Sequence, residues 1–200
     1  MKYKNIVIPF IESSDIKRKA DDLRKKIWGN KIPIEIETII EIKLKIRIIP
    51  IPNLFKLCSV DSQISSDFAC IFVDQDSYLS DGTNRLLFSL AHELGHYILH
   101  KNLFSSFGIK SVEDVVSFIT EIPEKQYSFL ETQANKFASQ FLLPRDILAK
   151  SREEIVEKYK LKNMDEKMVN SYIADNIAKT FEVSSLAAEL ALNDLNNFSK

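Results

Sequence analysis

Apolar residues along this 200-residue chain recur with two spacings, one typical of helices and one of strands. A helical spacing begins near Ser13 or Ser14, either of which can cap a helix, and continues to about Ile27. Its apolar residues share one face: Ile16, Ala20, Leu23 and Ile27. The pattern therefore predicts an amphipathic helix that ends at Gly29-Asn30.

Short runs of β-branched and aromatic residues predict strands at Ile46–Ile51 and Phe68–Val73. The opening run, MKYKNIVIPFI, is also predicted to be a strand rather than a signal peptide, because it is short and contains Pro9. Residues 32–45 alternate at first and then take a helical spacing. We favour a short helix there, after Pro33.

A turn at Asp81–Asn84 precedes a longer helix, Arg85–His100, with a predicted buried stripe of Leu87, Leu90, Ala91, Leu94 and Ile98. The opposite side carries histidines that can face a cleft. Strands precede this helix and helical patterns dominate after it. The fold class is therefore predicted to be α+β, with a small β-sheet packed on this helix and a mostly helical C-terminal half.

Composition favours one domain over residues 1–200, because only 4 glycines and 6 prolines occur and no linker is visible. We divide it into N-terminal helices and sheet (1–80), central helices (81–145) and closing helices (146–200). The two cysteines, Cys58 and Cys70, form no C-x-x-C pair, which favours a reduced, intracellular protein. No stretch approaches the length of a membrane span, so we expect a cytoplasmic protein without a membrane partner.

The net charge of −1 conceals a basic N-terminal part, since residues 1–56 contain 13 Lys and Arg against 7 Asp and Glu. The clusters Lys17-Arg18-Lys19 and Arg24-Lys25-Lys26 lack interleaved aromatic residues, so a solvated helix face is a better interpretation than a nucleic-acid site. A helix-turn-helix around Val183-Ser184-Ser185 is also considered. Residues 181–195 contain no Lys or Arg, so we expect packing there and no direct nucleic-acid binding.

The strongest chemical signal is the H-E-x-x-H pattern His92-Glu93-Leu94-Gly95-His96. Residues four apart on a helix differ by about 40° around the axis and about 6 Å along it, so both imidazoles can reach one metal ion. Glu93 lies where its carboxylate can take a proton from a water on that metal. The pattern indicates a zinc hydrolase.

A catalytic zinc site needs a third protein ligand. His100 lies about 12 Å from His92 along the helix, too far to share one ion, and we expect it to cap the helix C-terminus with partial positive charge. The remaining candidates are carboxylates: Glu113, Asp114, Glu121, Glu124 and Glu131. Glu131 is best placed, on a predicted helix Ser128–Leu143 where Asn135 could hydrogen-bond a ligand imidazole. On that helix alone, an ordinary surface Glu and Asn would be about equally plausible.

Two segments resemble the ImmA/IrrE family of metallopeptidases. The first match comprises Arg85, Phe88, Ser89, Leu90, Ala91, His92, Glu93, Gly95 and His96, and the second comprises Glu131, Ala134, Asn135, Phe137, Ala138, Leu142 or Leu143, and Pro144. The resemblance implies a zincin-like fold and a gluzincin-like zinc endopeptidase, with His92, His96 and Glu131 as ligands and Glu93 as the base. Such members often act on a helix-turn-helix repressor or a related regulator of mobile elements or stress responses.

The chain also departs from the family pattern. The segment between His96 and Glu131 is longer, with an added apolar helix near Val112–Ile119, and Ala188-Glu189-Leu190 stands where many relatives have an arginine. Four residues are candidates for stabilising the transition state: Tyr78, Tyr97, Tyr127 and Arg145. An alternative function is a non-cleaving, metal-stabilised binding module of a repressor or toxin–antitoxin system. Glu93 argues against that module, which has no need of this carboxylate.

Overall fold

The computed structural model describes residues 3–80 and 84–196, in which short strands precede a largely helical remainder. The strands are β1 (Arg47–Ile51), β2 (Ser62–Ile64) and β3 (Cys70–Asp74). The helices are α1 (Ser13–Ile27), a π-helical segment (Thr38–Lys43), α2 (Leu54–Cys58), α3 (Gln75–Leu79), α4 (Asn84–Leu99), α5 (Lys101–Phe107), α6 (Val112–Glu121), α7 (Glu124–Leu142), α8 (Arg145–Lys158), α9 (Glu166–Phe181) and α10 (Ser185–Asn196). The α+β class is confirmed.

The three strands form one sheet in the order β1-β3-β2. The central strand β3 is buried along its whole length and pairs in parallel with β1 and antiparallel with β2, so that Phe72 lies opposite both Ile49 and Gln63. Strand β2 forms an edge of the sheet and lies against α4. This edge strand carries part of the candidate site.

Most of the predicted elements are present. The strands at Ile46–Ile51 and Phe68–Val73 correspond to β1 and β3, and the helix after Pro33 is the π-helical segment. Helix α1 ends where predicted, but Glu12 occupies its N-cap position and no side chain caps it. The predicted turn lies mostly outside the described residues, at positions 81–83.

The prediction of a strand at the start of the chain is wrong. Residues 3–12 contain no strand, and side chains of the distant helix α7 bind their backbone instead. Gln126 accepts a hydrogen bond from the Ile8 N–H, and Gln133 donates one to the Pro9 carbonyl. These bonds to α7 replace the pairing that a neighbouring strand would have supplied.

Helices α4 and α7 approach closely because small residues face each other. A Cβ on Gly95 would lie 3.1 Å from the Ala134 carbonyl oxygen and 3.2 Å from Phe137 Cβ, closer than normal contact. The predicted stripe of α4 is buried at Leu90, Ala91 and Leu94, whereas Leu87 and Ile98 are partly buried. The close approach of the two helices brings residues of α7 beside the histidines of α4.

The added helix predicted between the two motifs is α6, and it belongs to an aromatic cluster next to the site. Phe104, Phe107 and Phe118 pack together, and Phe104 also contacts the His96 ring with a centroid distance of 4.8 Å. Both cysteines are free and buried. Within residues 3–80 and 84–196, no helix has the length and apolar character required to cross a membrane.

Candidate metal centre

The structure brings together the three residues that the sequence proposed as metal ligands. His92 and His96 come from α4 and Glu131 comes from α7. The two Nε2 atoms are 2.9 Å apart, His92 Nε2 lies 3.2 Å from Glu131 Oε2, and His96 Nε2 lies 3.5 Å from Glu131 Oε1. The other four proposed carboxylates, Glu113, Asp114, Glu121 and Glu124, are not part of this group.

Asn135 orients the first histidine, as its place one turn after Glu131 predicted. His92 Nδ1 lies 2.8 Å from Asn135 Oδ1. Because an amide oxygen only accepts hydrogen bonds, Nδ1 of His92 carries a proton, and Nε2 is the ring nitrogen that faces the other two side chains. Nδ1 of His96 is likewise occupied, by His100, so only Nε2 of His96 faces Glu131.

The electrostatics of the group favour a cation between these atoms. Burial lowers the pKa of His92, but the hydrogen bond to Glu131 and the negative charges of Glu93 and Glu131 outweigh it and raise that pKa to about 9. Burial would raise the pKa of Glu131, whereas its bonds to the two histidines hold it well below the usual range. The three side chains thus attract positive charge, as a proton or as a metal ion.

The donor set also fits zinc. Two imidazole nitrogens and one carboxylate oxygen are ligands that Zn²⁺ prefers, and tetrahedral bonds near 2.0–2.1 Å place donor atoms about 3.3 Å apart. The observed separations of 2.9, 3.2 and 3.5 Å bracket that spacing. The side chains therefore need little movement to hold such an ion.

The proposed base, Glu93, is held in place by the edge strand. Glu93 is 3% exposed, and its carboxylate accepts hydrogen bonds from Ser62 Oγ at 2.9 Å and from the Ile64 N–H at 2.8 Å. Strand β2 was not predicted, because three partly polar residues are too few to show an alternating pattern. The edge strand therefore positions the carboxylate that the H-E-x-x-H pattern identified.

The prediction that His100 caps the helix C-terminus with positive charge is wrong. His100 is 2% exposed and hydrogen-bonds His96 and Gln133. Burial and the neighbouring His96 lower the pKa of His100 to about 3, so its imidazole is neutral at physiological pH. Helix geometry correctly predicted that His100 is not part of the ligand group. The burial of His100 and its bond to Gln133 depend on distant parts of the chain, which helix geometry does not show.

A cavity of about 610 Å³ contains His92, His96, Glu131 and Glu93 in its lining. Of the four candidates for stabilising the transition state, Tyr127 lines this cavity, and Tyr78, Tyr97 and Arg145 do not. Burial, together with the negative charges of Glu131 and Glu93, raises the pKa of Tyr127. Its hydroxyl is therefore protonated at neutral pH and can donate a hydrogen bond.

The rim of the cavity contains an apolar wall that the sequence did not reveal. Helix α10 contributes Leu186 and Leu190, which lie one turn apart and are 66% and 62% exposed, and α2 contributes Phe55. Arg85 forms an ion pair with Asp61 at 2.9 Å and lies over the Phe55 ring. The wall depends on how α10 packs, which local periodicity cannot predict.

Comparison with known proteins gives a family and a fold. No curated protein matches this chain significantly. Among solved structures, a Mycobacterium tuberculosis transcriptional regulator is similar, with a TM-score of 0.53 and 15% identity, over 88% of this chain and 45% of that one. This chain thus spans less than half of that regulator, and the likeness concerns the fold alone. The family of peptidases described as the IrrE N-terminal-like domain matches residues 59–193, which include both motifs. The chain therefore belongs to this metallopeptidase family.

Proposed function

We propose that this protein is a zinc-dependent endopeptidase in which His92, His96 and Glu131 hold the metal and Glu93 is the general base. The observation that carries the proposal is the convergence of these three donors in a cavity that also contains the Glu93 carboxylate. Membership of a metallopeptidase family supports the same chemistry.

A zinc ion held by these residues would act as the Lewis acid that activates a water and polarises the scissile carbonyl. Glu93 takes the proton of the attacking water and passes it to the leaving amine. The bonds from Ser62 and Ile64 restrict the Glu93 carboxylate before the substrate arrives, which lowers the entropic cost of reaching a reactive geometry.

Tyr127 is proposed to stabilise the transition state. Tyr127 lines the cavity together with Glu93 and Glu131, and its hydroxyl is protonated at neutral pH. A phenolic donor at this place can hydrogen-bond the carbonyl oxygen as negative charge develops on it.

The proposed substrate is a segment of a regulatory protein, such as a helix-turn-helix repressor. The resemblance to family members that act on such regulators supports this choice. The apolar wall formed by Leu186, Leu190 and Phe55 suits a peptide that carries large apolar side chains. We also propose a cytoplasmic location, supported by two free cysteines, and a single domain, supported by one core that extends from Tyr3 to Leu192.

A Glu93→Gln variant keeps the metal ligands but lacks the base, so it should bind the substrate without cutting it and can be used to purify that substrate. The partner purified with it should be cut by the wild-type protein with zinc, and mass spectrometry should show two fragments. Cleavage should stop when zinc is chelated. Glu154→Gln, an exposed change on α8, is the matched control and should cleave normally. A partner that binds but is never cut would contradict the proposal and favour the non-cleaving module.

A further inference from the structure

Two buried polar residues beside the metal centre have no role in the proposed chemistry. His100 is 2% exposed and Gln133 is 5% exposed. Gln133 Nε2 donates a hydrogen bond of 2.9 Å to the Pro9 carbonyl in the N-terminal segment. Because a carbonyl oxygen can only accept, this bond fixes which end of the Gln133 amide is the oxygen.

The position of that oxygen determines where the protons lie on the histidines. Gln133 Oε1 is 2.9 Å from His100 Nε2, so Nε2 of His100 must carry a proton. His100 is buried and neither of its ring nitrogens faces a carboxylate, which favours the neutral imidazole with a single N–H. His100 Nδ1 therefore presents a lone pair.

That lone pair faces His96. The two Nδ1 atoms are 3.0 Å apart, so Nδ1 of His96 donates the hydrogen bond between them. A neutral His96 with its proton on Nδ1 has its lone pair on Nε2, the atom that faces His92 and Glu131. Three hydrogen bonds in series thus lead from the Pro9 carbonyl to Nδ1 of His96, on the same ring as the ligand atom Nε2.

We propose that His100 and Gln133 are positioning residues, which fix the tautomer and ring orientation of His96 so that its Nε2 binds the metal. The inference rests on the proposed function, because it assigns His96 as a ligand. Helix α7 would then supply one ligand, Glu131, and the groups that orient both histidines. Asn135 acts on His92 directly, whereas Gln133 acts on His96 through His100.

Packing alone is the competing explanation, because His100 also lies against the His96 ring at 5.2 Å. His100→Phe preserves an aromatic ring and removes both hydrogen bonds. His100→Gln can restore them, since its amide oxygen can accept from His96 and its NH₂ can donate to Gln133. If packing is the role, Phe should replace His100 better than Gln does, and positioning predicts the reverse.

The first test is zinc affinity, measured by competition with a chromophoric chelator on variants shown to be folded by circular dichroism. His100→Phe and Gln133→Leu should weaken zinc binding by roughly 10–100-fold, the usual cost of losing a group that orients a metal ligand. His100→Gln should recover most of the affinity. Gln140→Leu is the matched control, because Gln140 lies on the same helix, is 7% exposed and bonds Asp21 instead. Wild-type affinity in His100→Phe, or an equal loss in Gln140→Leu, would overturn the inference.

The second test reads the tautomers directly. With only three histidines, ¹⁵N labelling of histidine gives six ring nitrogens to assign in the zinc-loaded protein. We expect protons on Nδ1 of His96 and on Nε2 of His100, with scalar coupling between the two Nδ1 atoms. A proton on Nδ1 of His100, or the absence of coupling between the two Nδ1 atoms, would overturn the inference while leaving zinc bound. A wild-type protein that binds no zinc would instead overturn the proposed function, and the positioning role with it.

Discussion

Two parts of the cavity differ in exposure and polarity: its floor, formed by His92, His96 and Glu131, and its apolar wall, formed by Leu186, Leu190 and Phe55. On the floor, the side chains of His92, His96 and Glu131 are 12%, 2% and 30% exposed, and each histidine nitrogen has a polar partner. On the wall, Leu186 and Leu190 are 66% and 62% exposed. The hydrogen bonds of the floor hold its side chains in place before any partner binds. The wall contributes favourable free energy to binding only when a partner covers its apolar surface. Reaction chemistry and substrate choice should therefore respond to different mutations.

Removing a ligand from the floor should have the largest effect. In Glu131→Ala or His92→Ala, the zinc content should fall from about one per chain to near zero, because two remaining ligands hold zinc poorly. Elemental analysis of folded protein measures this. Glu124→Ala, a change at the start of the same helix, should keep its zinc. Full zinc content in the Glu131 variant would remove this residue from the site.

Replacing the base should stop turnover and leave the metal bound. Glu93→Gln should lower kcat by roughly 10²–10⁴-fold, the range expected for losing a general base. The amide can still accept the hydrogen bond from Ile64, so the fold and the zinc content should be unchanged. The two measurements are the rate at which the variant cleaves the captured partner and the zinc content of the same preparation. Undiminished kcat would exclude Glu93 from the mechanism.

Much of the floor could be predicted from the sequence, because its signals are local. The spacing of His92 and His96 follows from helix geometry, and apolar periodicity indicated both α4 and α7. The choice of Glu131 needed the resemblance to a family as well, since a helix alone gives no reason to prefer it over a surface glutamate. The structure explains how it reaches the histidines, through the close contact at Gly95.

The remaining features could not be predicted because they depend on contacts between distant residues. Strand β2 forms in contact with α4, and its own three residues show no pattern that predicts a strand. His100 is neutral because distant parts of the chain bury it, and its partner Gln133 lies 33 residues away in the sequence. At the start of the chain, Val7 and Phe10 are 74% and 76% exposed, so the apolar pattern there did not mark a buried strand.

Tyr127 lines the same cavity and should affect kcat more than KM. Tyr127→Phe removes one donor to the developing negative charge, which should lower kcat roughly 10²-fold with little change in KM. Steady-state kinetics on the captured partner measures both constants. Tyr97→Phe is the control, because Tyr97 packs against Phe68 outside the cavity lining and its loss should leave kcat unchanged. A higher KM with normal kcat would make Tyr127 a binding residue only.

Mutations on the wall should change KM and leave the chemistry intact. Leu190→Asp places a charge where we expect an apolar side chain of the substrate, so KM should rise by about tenfold or more, consistent with roughly 1.5–3 kcal/mol for burying a leucine. Zinc content should not change. Met168→Asp alters a residue on α9 that is 65% exposed and lies outside the cavity lining. Equal KM values for the two variants would show that the wall does not contact substrate.

The smallest effect is expected from the basic surface of α1. Lys17 pairs with Asp194 and Arg18 pairs with Asp15, so acidic partners partly neutralise the positive charge at this end of α1. The remaining positive charge lies nearer Lys25 and Lys26. Reversing Lys25 and Lys26 to Glu should slow substrate capture a few-fold at low salt, and the difference should shrink as salt screens the charges. Stopped-flow association rates over a salt series measure this. Equal rates throughout would identify the surface as a solvated helix face.

The ligand set itself is tested most directly by X-ray absorption at the zinc edge on the purified, zinc-loaded protein. We expect one zinc per chain with two imidazole ligands, oxygen atoms in the remaining positions and no sulfur, at metal–ligand distances near 2.0–2.2 Å. In His92→Ala the zinc absorption itself should fall to near background, because two remaining ligands hold zinc poorly. A third imidazole, which only His100 could supply, or a sulfur from Cys58 or Cys70, would contradict a centre formed by His92, His96 and Glu131.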